Sequence, residues 1–76
     1  MSEFRSATGE DVARAMVESE RELVRAVARE AAMDAAWAAA SSLAAASLGY
    51  WAEAKWQARR ALRCGAAANR LLGLLV

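Results

Sequence analysis

The chain has 76 residues, 22 of them alanine, with no proline, histidine or isoleucine and one cysteine, Cys64. One short domain buries little surface without a staple or a partner; a lone thiol excludes an internal disulfide, and without histidine a zinc site would need carboxylates almost alone. The formal charge of +1 hides an asymmetry, with eight acids and five bases in residues 1–47, net −3, against one acid and five bases in residues 48–76, net +4, so the two halves should attract each other.

Half of the 58% hydrophobic content is alanine, which leaves 22 larger apolar residues. Alanine is the strongest helix former, and the other common residues (Arg, Glu, Leu) also rank high. The β-branched content is five valines and one threonine, so the expectation is an all-α fold.

In chain order, residues 1–8 form an N-terminal arm. Met1 to Arg5 carries Glu3 and has no apolar run behind it, unlike a secretory signal, so a reducing cytoplasmic compartment is the expectation. Thr8-Gly9-Glu10-Asp11 reads as a helix start with Thr8 as N-cap and acids in the first turn. The next breaker is Gly49, placed where a helix C-terminus wants positive φ. The spacing predicts a single helical hairpin over 9–76: a helix over 9–47, a turn at 48–50 and a helix over 51–75. Ser41-Ser42 is a candidate kink, because paired serines can bond back to the preceding turn.

Through Arg29 the first helix is amphipathic. Val12, Met16, Leu23 and Val27, flanked by Val17 and Val24, share one side, and Glu10, Asp11, Arg14, Glu18, Arg21, Glu22, Arg25 and Arg29 share the other. Pairs such as Glu10 with Arg14 and Glu22 with Arg25 fit that wet face. Beyond it runs a seam of small residues, Val24, Ala28, Ala31, Ala35, Ala38, Ser42 and Ala45, alternating four and three apart. The second helix offers a matching ladder, Trp51, Ala54, Ala58, Ala61, Gly65, Ala68, Leu72 and Leu75. Two such heptad seams across one tight turn predict a closely packed antiparallel hairpin.

The arms differ in length. A turn near residue 48 lets the second helix reach back only to about residue 22, so ~20 Å of amphipathic helix overhangs. An exposed apolar stripe of that kind marks a partner surface. The economical solution is a homo-oligomer, a four-helix bundle or larger helical assembly, joined through Val12, Met16, Val17, Leu23, Val24 and Val27 together with Ala54, Ala58, Ala61, Gly65, Ala68 and Leu72.

Few features suggest chemistry. Glu20, Glu30 and Asp34 sit on or beside the apolar side of helix one, and the last two are neighbours at i, i+4. Carboxylate-bridged bundles pair such residues with histidine, which this chain lacks, so ion pairs with Arg63 and Arg70 are the expected role. Lys55, Arg59, Arg63 and Arg70, with Arg60 and Trp56 beside them, form a basic stripe; an acidic protein neighbour suits it better than nucleic acid. Lys55, between Trp51 and Trp56, could be desolvated into an amine nucleophile, yet nothing supplies the rest of a catalytic set. Cys64 has no base to activate it.

Trp37, Tyr50, Trp51 and Trp56 gather near the turn. The expectation is a local aromatic plug, with a ligand or partner anchor as the alternative. Residues 35–52 lack charge and are followed by Lys55, Arg59, Arg60 and Arg63, which raises a membrane-associated or coat-like reading, and Ala61-x-x-x-Gly65 resembles a small-residue packing motif. Against it, the run is mostly alanine and serine. The four glycines are too scattered for a phosphate loop. Regularity would suit a designed bundle; Cys64-Gly65, Asn69 and the apolar tail from Leu71 to Val76 suit it less. The sequence therefore predicts a non-enzymatic structural or interaction module that needs no metal and no cofactor.

Overall fold

The computed structural model describes residues 9–76; the arm 1–8, and with it Thr8 as N-cap, lies outside the described residues. Among the described residues the fold is all-helical, a hairpin of α1 (Gly9–Ser47) and α2 (Trp51–Gly73). Glu10 and Asp11 occupy the first turn of α1 and Glu53 that of α2, while Arg70 stands in the last turn of α2. Each charge suits its end of the helix dipole. The Arg14 guanidinium donates to Glu10 Oε1 at 3.3 Å and lies 3.9 Å from Asp11 Oδ1, adding a few tenths of a kcal/mol on an exposed surface.

The turn is built by backbone chemistry. Gly49 has φ of 80°, its amide donates to the Ala46 carbonyl at 3.0 Å, and the Tyr50 amide reaches back to Ala45 O at 2.9 Å. That pair of bonds is a Schellman motif, which needs a residue in the left-handed region at the position after the cap. The Ala54 amide then donates to Tyr50 O at 2.9 Å and starts α2 with no side-chain cap. At the far end the Leu74 and Leu75 amides bond to Leu71 and Leu72 carbonyls, three residues back. This tighter turn ends α2 at Gly73, two residues before the expected boundary.

α1 continues unbroken through Ser41 and Ser42. The Ser42 hydroxyl turns outward from its own helix and donates to the Ala54 main-chain oxygen on α2 at 2.7 Å. A serine side chain reaches a facing backbone only where the helices approach closely. The hydroxyl that does bond back is Ser47, to Leu43 O at 2.9 Å.

Five residues are buried among those described, and all are alanines: Ala28, Ala38 and Ala45 of α1, Ala54 and Ala68 of α2. On α1 every other predicted seam residue, Val24, Ala31, Ala35 and Ser42, is half-buried. On α2 the seam differs from the expectation. Trp51, Ala58 and Leu72 are exposed, and the inward ladder is Ala54, Gln57, Ala61, Cys64, Ala68, Leu71 and Leu75. The two ladders share Ala54, Ala61, Ala68 and Leu75 and differ by one residue between them. Gln57 fits this position poorly: its amide nitrogen donates to Glu53 Oε1 at 3.1 Å, but its own oxygen is buried without a partner.

Gly65 lies beside this seam and is not required by it, since a Cβ there would meet nothing within 4 Å. The two nearest glycines to the core therefore predict opposite outcomes. Gly49→Ala, forced into the left-handed region, should cost about 1–2 kcal/mol. Gly65→Ala, in open space within a helix, should gain about 0.5–1 kcal/mol. Ser42→Ala should lose about 1 kcal/mol with the interhelical hydrogen bond. Urea unfolding followed by circular dichroism, at one protein concentration for all variants, measures each.

Candidate interaction surface

With two helices packed side by side, the hairpin is a slab one layer thick. Both broad faces are therefore open. The helical order assigns residues to them. A groove of about 680 Å³ runs between the helices, with Ala36, Ala39 and Leu43 of α1 on one wall and Ala58 and Leu62 of α2 on the other. In α2, Ala58 and Leu62 each follow a seam residue, Gln57 and Ala61; in α1, Ala36, Ala39 and Leu43 likewise follow Ala35, Ala38 and Ser42. Residues that precede seam positions, one helical step of −100° away, stand on the opposite face.

That opposite face carries, on α1, Leu23, Val27, Glu30, Asp34 and Trp37, and on α2, Glu53 beside the turn, then Trp56, Arg60, Arg63, Arg70 and Leu74. Its α1 edge is acidic and its α2 edge basic. The groove face bears Arg25 and Arg29 on α1 and Lys55 on α2, all of one sign. Its second hollow, lined by Arg25, Ala28, Arg29, Ala32 and Leu72, is also basic.

The predicted ion pairs from Glu30 and Asp34 to Arg63 and Arg70 are not formed within the chain. Among the described residues, the ion pairs are those of Arg14 with Glu10 and Asp11; Glu22 with Arg25 is likewise not made. Glu30 and Arg63 are exposed and Asp34 is half-buried. Side chains that leave a two-helix slab by its broad face diverge from the seam instead of meeting across it.

The aromatic residues also depart from expectation. Trp37 is 71% exposed, Tyr50 63%, Trp51 64% and Trp56 50%, so no plug fills the turn end. Trp51 and Trp56 are five residues apart, roughly 140° around α2, which sends them to opposite faces. The Trp56 ring instead carries the Arg60 guanidinium, 5.9 Å from its centroid, a modest cation–π contact. Lys55 is exposed, so the desolvation that amine chemistry needs is missing, and Cys64 is a half-buried free thiol of the seam.

Residues 9–23 all lie exposed beyond the reach of α2, including Val12, Met16, Val17 and Leu23. With Glu10, Asp11, Glu18, Glu20 and Glu22 against Arg14 and Arg21, this overhang has net charge −3, whereas the paired part of α1, 24–47, is neutral. Among the described residues no helix is long and apolar enough to cross a membrane: the charge-free run 35–52 is broken by the turn after Ser47. Nor do three potential metal ligands come together among them. No protein-family model, curated protein sequence or solved structure matches the chain.

Proposed function

We infer that the chain works by association, as a non-enzymatic helical module whose core is completed by further helices, a second copy of itself first among them. The observation that carries this reading is the contrast between what is buried and what is not. The buried set is five alanines, while Val12, Met16, Leu23, Met33, Trp37, Leu43, Trp51 and Leu62 are all exposed. A methyl core stabilises weakly, at roughly 25 cal/mol for each Å² of apolar surface removed from water.

Area supports the same reading. The chain exposes 6201 Å², where a compact monomer of 8.1 kDa would expose ~4,500 Å². The excess of ~1,700 Å² per copy is at least what a stable protein interface takes from each partner, ~800 Å². Electrostatics adds selectivity, since neither the basic α2 nor the acidic overhang is neutralised by the part of α1 that α2 covers. The exposed tryptophans suit this role as anchors, being residues that lose little entropy when a partner covers them.

Multi-angle light scattering at micromolar concentration tests the reading. A mass of twice 8.1 kDa or a higher multiple is expected, with helicity by circular dichroism falling on dilution. A helical species of single-chain mass whose helicity does not change with concentration would refute it.

A further inference from the structure

We propose that the acid–base face of the hairpin is a self-complementary docking surface for a second copy, in which Glu30 and Asp34 of one chain meet Arg70 and Arg63 of the other around a two-fold axis parallel to the helices. The proposal rests on the association reading and adds the surface, the partner and the symmetry.

The charges choose the face. A two-fold axis places a surface against itself, so the surface must carry both members of every pair. The groove face cannot do this, because it offers no acid to pair with Arg25, Arg29 or Lys55. The opposite face can, with acids on α1 and arginines on α2.

The same charges choose the axis. An in-plane two-fold perpendicular to the helices would lay α1 on α1 and bring Glu30 and Asp34 against their own copies. An axis along the helices lays α1 on the partner's α2, runs all neighbouring helices antiparallel, and leaves every residue at its own level along the bundle. Levels can be counted from the turn. Asp34 stands fifteen residues before Gly49 and Arg63 fourteen after; Glu30 stands nineteen before and Arg70 twenty-one after. These pairs are thus level to within ~1.5 Å and ~3 Å respectively, well inside the reach of an arginine side chain. Trp37, twelve before the turn, comes level with Arg60, eleven after, so the exposed ring gains a guanidinium from the partner. Glu30, Asp34, Arg63 and Arg70 make no ion pair within the chain among the described residues, so all four are free for the partner. Met33 and Leu74, both exposed, edge this face and supply apolar area.

Reciprocal charge reversal tests the proposal on the full-length chain. One variant carries Glu30→Lys and Asp34→Lys, the other Arg63→Glu and Arg70→Glu, all good helix formers. Alone, each sets like charges against like in both halves of its dimer, and its dissociation constant should rise at least about tenfold over wild type. Mixed, the new lysines of one face the new glutamates of the other at one contact, and native Glu30 and Asp34 face native Arg70 and Arg63 at the second, so both contacts pair opposite charges. Native mass spectrometry of the mixture, with one variant isotopically labelled, should recover mixed dimers at near wild-type affinity. Rescue by mixing cannot come from changes within either chain, so it isolates the interface even if each variant is less stable alone. Variants that keep wild-type mass, or a mixture without mixed species, would overturn this surface while leaving association intact. A monomeric wild type would remove both.

Discussion

The close contact between two alanine-lined helix faces governs the rest of this molecule. Methyl groups let the backbones of α1 and α2 approach until the Ser42 hydroxyl reaches the Ala54 carbonyl at 2.7 Å. That approach recovers dispersion contacts along the whole seam. It also means that the buried side chains among the described residues are five methyls, so the apolar area taken from water is small. Close packing and scant burial are one property seen from two sides, and apart from Val24, Leu71 and Leu75, half-buried in the seam, the large apolar residues are left outside the contact that closes the hairpin.

Much of this was legible in the sequence because its signals are local. Gly49 is the one glycine between two helix-forming stretches, and its φ of 80° is the reason only glycine suits it. The α1 seam follows from small residues at alternating spacings of four and three, although Ala32, Ala36, Ala39, Leu43 and Ala46 keep the same spacing one residue on. On α2 two ladders keep the same spacing, the expected one through Ala58 and Leu72 and the observed one through Gln57 and Leu71. Small size favours the first on paper. The shared residues Ala54, Ala61 and Ala68 fix the heptad, but only the crossing of the real helices decides which neighbour turns inward, and it admits the glutamine with its unpartnered oxygen.

The aromatic cluster and the ion pairs misled for a related reason. Trp37, Tyr50, Trp51 and Trp56 are close along the chain, yet each projects according to its angle around its helix, and proximity to a turn does not bring rings together. Asp34 and Arg63 are level across the seam, yet the side chains of a slab one helix thick diverge as they leave its face. Spacing along a helix gives the angle and the level of a residue reliably. Whether two side chains meet depends on how many helices surround them, which a single chain does not specify.

A face-to-face pair around an axis along the helices has one further consequence. Because each residue keeps its level, both overhangs project from the same end, on diagonal corners of the bundle, with the positions of two missing helices between them. Their stripes of Val12, Met16 and Val17 then border one open space, while the acids that give each overhang its net charge of −3 oppose its closing on itself. Repulsion of this size is screened within about 8–10 Å in physiological salt, so it weakens but does not forbid convergence of the two stripes. A basic amphipathic helix entering that space would meet apolar side chains and opposite charge together. In such a pair neither end would be neutral: the four-helix end would keep the +4 of residues 48–76 from each chain and the two-helix end the −3 of each overhang, so the two ends, divided where α2 stops, would attract opposite partners.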